Sequence, residues 1–464
     1  MLFNTPQFVF VLIGFLISWY VFPNKIKKPI LLIFSYYYAY TLGGIWTVAA
    51  LVYATLLTFI CGLFFKKNHH NKLVLICFIL LLVFPLVYEK LSPSFSGLIG
   101  RSMSKVSLIG LSYYVLSAIS YIVDIYRGED EPEKSLPDTA IWIAFFPKLI
   151  AGPIERHRQF KEHLKTLHGL HFEMERIKRG LLICSLGYFC KIIIADRIGP
   201  FVDSIFSEVF VHHGFILILT MVLYAFQIYF DFSGYSLIAY GIAYAMGLQI
   251  TKNFNHPFFS ENTSEFWSRW HVSLSSWLKD YIYIPLGGNR KGRLRQNINL
   301  MITFLVSGIW HGAGINYILW GAANGFIQII ERMVRKVVKL PHTLNRIITF
   351  LFFSGTLIIF RADSILTVKS FIKRMAEWNF QEITDGTIFR LGIDLHDWII
   401  LIAALIIVFV IEHLQFNGVS IYDEIQKKNI VVRWIIYYMI IVLLIIFGIY
   451  GTAYDASNFI YFKF

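Results

Sequence analysis

Charge is scarce in this chain: 15% of its 464 residues are charged, with 29 Asp and Glu against 42 Lys and Arg. With 56% hydrophobic residues, 17% aromatics and a mean hydropathy of +0.60, a water-soluble fold would need an implausibly large core, which excludes that class. Cysteine is nearly missing. Cys61, Cys77, Cys184 and Cys190 all fall in apolar segments and none makes a CxxC pair, so they read as small buried hydrophobes rather than disulfide or metal ligands. There is no Walker A loop, no GxSxG elbow, no GxGxxG between a strand and a helix, and no internal repeat or low-complexity tract. The net charge of +13 does not point to nucleic acid, because the basic residues sit in short clusters between apolar runs, where the positive-inside bias puts them.

What the chain does have is apolar runs of membrane length. At ~20 residues per span there is room for roughly ten to thirteen hydrophobic segments, read as one continuous all-α membrane domain over residues 1–464. The first, about residues 7–22, lacks a basic leader region and a small-residue cleavage site, so it reads as a retained span. Lys25, Lys27 and Lys28 then mark a cytoplasmic loop, and a hairpin around Gly43-Gly44 returns the chain to a second one at Lys66, Lys67 and Lys72, which puts the N-terminus outside. HHNK at 69–72 reads as a solvated loop. Residues 89–105, with Arg101 and Lys105, are expected as an outer or interfacial loop, and GEDEPEKSLPD after Arg127 as a polar loop without helix signal. The broken run IWIAFFPKLIAGPI (141–154) is followed by the basic runs RHRQFKEHLK and RIKRG, both its flanks read as cytoplasmic, and it is expected to be re-entrant. Spans are expected near 180–195 and 214–230, with DFSGYS (231–236) interrupting the apolar stretch that continues to Leu248. Residues 252–297, mixing Trp267, Trp270 and Trp277 with basic residues, read as interfacial helices. A helical hairpin over 298–330 turns at Gly312 and Gly314. Further spans are expected near 345–360, 397–411 and 431–452, with a loop over 370–395 and an anchoring aromatic tail, Phe459–Phe464.

Two histidines each follow a tryptophan, in Trp270-His271 and Trp310-His311. His311 lies sixteen residues beyond Arg295, ~24 Å along a helix and well inside a ~30 Å hydrocarbon core. An ionisable group there is a functional candidate by default. His271 reads as a residue of the cytoplasmic boundary, with a supporting role. Arg269, Trp270, Lys279, Asp280, Trp310 and Asn316 are the candidate substrate-binding residues around the pair, and Asp231 or Asp280 the carboxylates able to orient a histidine. No ligand-spaced Cys, Asp or His accompanies His311, so no metal is expected.

FFPKLIAGPI, DFSGYS, NFNHPFF, EFWSRWHVSLSSWLKDYIYIPLGGNR and SGIWHGAGINYILWG, in that order, resemble the membrane-bound O-acyltransferase superfamily, in its bacterial branch of alginate and peptidoglycan O-acetylation membrane subunits. The resemblance covers about Ile141 to Gly325, the core motif region of about 141–330, with C-terminal helices over 345–464. It implies a bacterial cytoplasmic-membrane enzyme: a ring of roughly 11–13 tilted and re-entrant helices around a central funnel. It also implies His311 as the catalytic histidine, His271 as the second motif histidine, acetyl-CoA as donor substrate, and an exported SGNH-hydrolase-like partner. One departure stands at Leu237, where that branch carries an Asp. Two other readings stay open. One is D-alanyl transfer to teichoic acid, against which the terminal FIYFKF speaks. The other is a transporter of acylated sugar, against which the lack of paired inverted repeats speaks.

Overall fold

In the computed structural model, residues 1–67, 71–99, 108–150 and 152–450 are described, the side chains of 67 and 91–99 excepted. The 69–70 part of HHNK, Arg101, Lys105 and the tail Phe459–Phe464 lie outside them. The described residues form helices and no strand. Among the described residues, six stretches are long and apolar enough to cross a membrane: Asn24–Lys66, Lys72–Lys90, Phe215–Ala245, His342–Arg361, Leu395–Phe416 and Ile430–Phe447, with a shorter apolar helix at Pro6–Val21. The chain is a multi-pass membrane protein. These stretches are fewer than the apolar segments counted in the sequence, because several of those segments are short or broken helices. The chain divides into two compact units, Met1–Cys184 with Ser236–Lys252, and Ser185–Tyr235 with Asn253–Phe464.

In the first unit, the stretch Lys27–Lys67 is interrupted at Gly43 and Gly44, and Gly44 takes the left-handed φ of 68° that a side chain resists. Tyr36 Oη lies 3.4 Å from Thr55 Oγ1. Those residues would be ~28 Å apart along a continuous helix, so the two arms fold back on each other as the expected hairpin. The outer loop expected from Glu89 is instead a continuation of the helix Lys72–Ile99, which carries both Pro85 and Pro93. The polar loop after Arg127 also ends early. Ser135 Oγ accepts from Asp138 N and starts the helix Leu136–Ala144, with Pro137 in its first turn, where a missing N–H costs nothing.

That helix has 9 residues, ~14 Å, and cannot span ~30 Å of hydrocarbon. It breaks into the 3₁₀ turn Phe146–Lys148, and residues 141–150 are buried throughout. The flanks of the broken run meet: His157 Nδ1 is 2.7 Å from Asp130 Oδ2, and Lys161 Nζ is 3.1 Å from Glu133. Lys28 Nζ bonds Asp138 at 2.9 Å, and Asn24 Nδ2 donates to His168 O. The run therefore leaves and returns at the end that carries the first basic loop, the geometry of a re-entrant segment.

In the second unit, the helix Met174–Tyr188, whose first part belongs to the first unit, passes through a wide π-type segment, Phe189–Ala195, into Asp196–Ser207. DFSGYS does not interrupt the next stretch. Phe215–Ala245 is one helix of 31 residues, ~46 Å, long and apolar enough for a membrane crossing, and it runs through DFSGYS without a break. The polar residues are tolerated because they are satisfied internally: Lys191 Nζ, fully buried in the π segment, is 2.6 Å from Asp231 and 2.7 Å from Asp196. The 252–297 segment also departs from expectation. Its tryptophans face inward, Trp270 and Trp277 buried and Trp267 half-buried; Phe254, Phe266, Phe304 and Phe353 offer Trp267 and Trp270 a core, and Trp277 packs on Tyr281. The helices Gly292–His311 and Ile315–Val334 make the expected hairpin. A Cβ at Gly308 would run into the Tyr317 carbonyl oxygen, and one at Gly321 into that of Phe304. The expected 370–395 loop holds an amphipathic helix, Ile365–Met375, and two short turns.

Candidate active site

Backbone pairing in the second unit sets His271. Asn255 N donates to Arg269 O at 3.0 Å, Val272 N to Asn253 O at 2.9 Å, and Ser273 N to Asn253 Oδ1 at 3.2 Å. Between the helices Thr263–Arg269 and Val272–Leu278, His271 is held at φ 44°; among described non-glycine residues only His256, at 50°, shares the left-handed region. Such a conformation costs roughly 1–3 kcal/mol and persists where surrounding structure over-determines it, which the pairing from 253–255 does.

The His271 ring meets Phe232 edge-on at 4.7 Å and lies 6.0 Å from Trp310. It is 1% exposed, more deeply buried than His311 at 6%, because the folding back of 253–255 covers it. His271 lies outside the spanning stretches, and burial pushes its pKa down to about 3. The imidazole is therefore neutral at physiological pH, able to give one hydrogen bond and take one but a weak base.

His311 is the last residue of Gly292–His311. Its ring is packed nearly perpendicular to Trp310 (4.8 Å), Trp320 (5.1 Å) and Phe360 (5.3 Å). Trp310, half-buried, thus touches both histidines, and the two Trp-His pairs converge on one indole.

The remaining predicted residues divide. Trp270 packs into the aromatic core against Phe353 (4.7 Å), Phe254 (5.1 Å) and Phe266 (5.5 Å). Arg269 is half-buried, pairs with Glu265 at 2.9 Å and covers the Phe416 ring at 5.2 Å. Lys279 is exposed and Asp280 half-buried on the wide turn Lys279–Tyr283. Asn316 Nδ2 donates to the carbonyls of Phe360 (3.4 Å) and Ala362 (3.3 Å), closing the end of His342–Arg361. Asp231 bonds Lys191. Trp320, Phe360, Phe232, Asn253 and Lys191 were not singled out in the sequence. Trp320 lies within SGIWHGAGINYILWG and Asn253 opens NFNHPFF, so the motif blocks held the signal for both.

An all-helical multi-pass membrane protein with two buried, tryptophan-bridged histidines is a narrow class. The model of the MBOAT, membrane-bound O-acyltransferase family, matches residues 32–361, and the chain belongs to that family. It is 39% identical over 285 residues to the probable alginate O-acetylase AlgI of Pseudomonas fluorescens, a match covering 59% of this chain and 56% of that protein. It is 30% identical over 424 residues to the peptidoglycan O-acetyltransferase of Helicobacter pylori, covering 82% and 80%. It is 28% identical over 278 residues to the teichoic acid D-alanyltransferase of Streptococcus thermophilus, covering 58% and 66%. The chain spans little more than half the length of the alginate O-acetylase it matches.

Proposed function

We propose that this protein passes an acetyl group from a cytoplasmic thioester, acetyl-CoA, across the bacterial cytoplasmic membrane to an extracytoplasmic hydroxyl, for O-acetylation of a cell-surface or secreted polysaccharide, alginate-like or else peptidoglycan or cellulose. The observation that carries the reading is the convergence of His271 and His311 on Trp310 inside the region matched by the family. His311 acts as general base on the acceptor hydroxyl, a role worth ~10²–10⁴-fold in rate. His271, neutral, positions the donor by hydrogen bonding. Arg269 and Lys279 attract the phosphates of the donor. Donor and acceptor reach the site from opposite sides of the membrane, and an exported SGNH-hydrolase-like protein takes the acetyl group onward.

His311→Ala is expected to abolish polymer acetylation in cells while the protein stays folded in the membrane; normal acetylation by that variant would refute the role. A second reading, D-alanyl transfer, is favoured by the likeness to the Streptococcus thermophilus enzyme. Membranes supplied in parallel with acetyl-CoA and with an aminoacylated carrier protein separate the two by which donor is consumed.

A further inference from the structure

Most buried tryptophan N–H groups find an acceptor, and one that does not calls for an explanation. Trp320 is 3% exposed, and its Nε1 has no hydrogen-bond partner among the described residues. Its neighbours are rings: His311 at 5.1 Å and 88°, Phe360 at 5.2 Å and Trp267 at 5.8 Å. Its backbone is fixed by the tight hairpin, where Gly321, the next residue, lies against the Phe304 carbonyl. An unsatisfied donor has thus been kept rigid beside the histidine that the proposed reaction uses.

We infer that the Trp320 indole N–H is a catalytic hydrogen-bond donor to the carbonyl oxygen of the acyl group during transfer, an inference that rests on the acyl-transfer reading of this site. The acceptor hydroxyl oxygen attacks the thioester carbonyl carbon, a C–O bond forms, and the hydroxyl proton passes to His311. The carbonyl electron pair moves onto oxygen, where charge develops and the N–H strengthens its hold. The C–S bond then breaks, the oxygen returns its pair to carbon, and the leaving thiolate takes the proton from the His311 imidazolium. Ester and thiol are the products. In a water-poor site a donor aimed at developing charge is worth far more than one in solvent, and removal of such a donor typically lowers kcat by ~10²–10³.

The experiment replaces Trp320 in the full-length chain, in membranes, with β-(3-benzothienyl)alanine, which keeps the shape of the ring and puts sulfur in place of N–H. Wild type is first supplied with acetyl-CoA and with the aminoacylated carrier, and the donor it consumes is used throughout. The expected result is a kcat lowered ~10²-fold with KM and heat stability of the membrane protein unchanged. Trp320→Phe should behave alike, and Trp320→His, which restores a ring N–H, should recover part of the loss. A benzothienyl variant within threefold of wild type in kcat overturns the inference and leaves the acyl-transfer reading standing. Wild-type membranes that transfer neither acyl group refute that reading, and the inference with it.

Discussion

Lys191 offers the sharpest test of how the second unit is held together. Its ammonium is fully buried between two carboxylates, Asp231 (2% exposed) at 2.6 Å and Asp196 (8% exposed) at 2.7 Å. Lys191→Met removes the cation that the two carboxylates share and leaves both buried without it. Breaking a buried pair in this way costs about 3–5 kcal/mol, mainly as the desolvation of the charges left behind. At ~2–4 °C per kcal/mol for a large domain, the unfolding midpoint should fall by roughly 6–20 °C. Heating detergent-solubilised protein in steps and measuring the monodisperse fraction gives the midpoint. Asp231→Asn added to Lys191→Met takes away one of the stranded charges, so the double variant should be more stable than the Lys191→Met protein by about 1–3 kcal/mol. Because Asp231 precedes Phe232, whose ring abuts His271 at 4.7 Å, acyl transfer should fall along with stability. A Lys191→Met protein that melts with wild type, or a double variant less stable than Lys191→Met, would show that the triad is not the anchor its geometry describes.

Other outcomes follow from single features. The folded-state pKa of His271, about 3, lies below the ordinary value near 6.5. Both states are neutral above pH 6.5, and on acidification the unfolded chain gains a proton the folded one refuses. Stability is therefore lost between pH 6.5 and 3 at ~1.4 kcal/mol per unit, and His271→Gln should flatten that slope in melting curves. At His157 burial works to lower the pKa, but the hydrogen bonds and charge of Asp130 and Glu133 outweigh it and raise the value. Its stabilisation is complete below pH 6.5 and lost as pH rises through the folded value, a dependence that should vanish in His157→Gln. Gly321→Ala drives a methyl into the Phe304 carbonyl and should cost ~1–3 kcal/mol in heat stability, while Gly355→Ala, which meets nothing within 4 Å, should not destabilise.

Where the sequence was legible, local chemistry decided the outcome. The Gly43-Gly44 turn, the broken 141–154 run and the Gly312–Gly314 hairpin follow from residues that cannot continue a helix or that let helices touch. Where it misled, a distant partner intervened. Asp231 looked like a helix breaker because its partner, Lys191, is forty residues away and turned inward by a π segment. Trp270 looked interfacial because the phenylalanines that cover it come from Phe254 to Phe353. The two histidines were visible as a pair of Trp-His steps. Their meeting on Trp310 was not, since it depends on the fold of 253–255 over His271.

The first unit is discontinuous, and that imposes an order on biogenesis. Trp19 Nε1 donates to Met246 O, and Tyr20 Oη to Ala245 O, partners separated by more than two hundred positions. At ~5–20 residues per second a ribosome needs roughly 11–45 s to make the chain between them. Through that interval the N-terminal helix waits in the bilayer with its buried tryptophan unmatched. Chains arrested before residue 245 should therefore be the ones that membrane quality control captures, and release should come when the end of the long Phe215–Ala245 helix arrives.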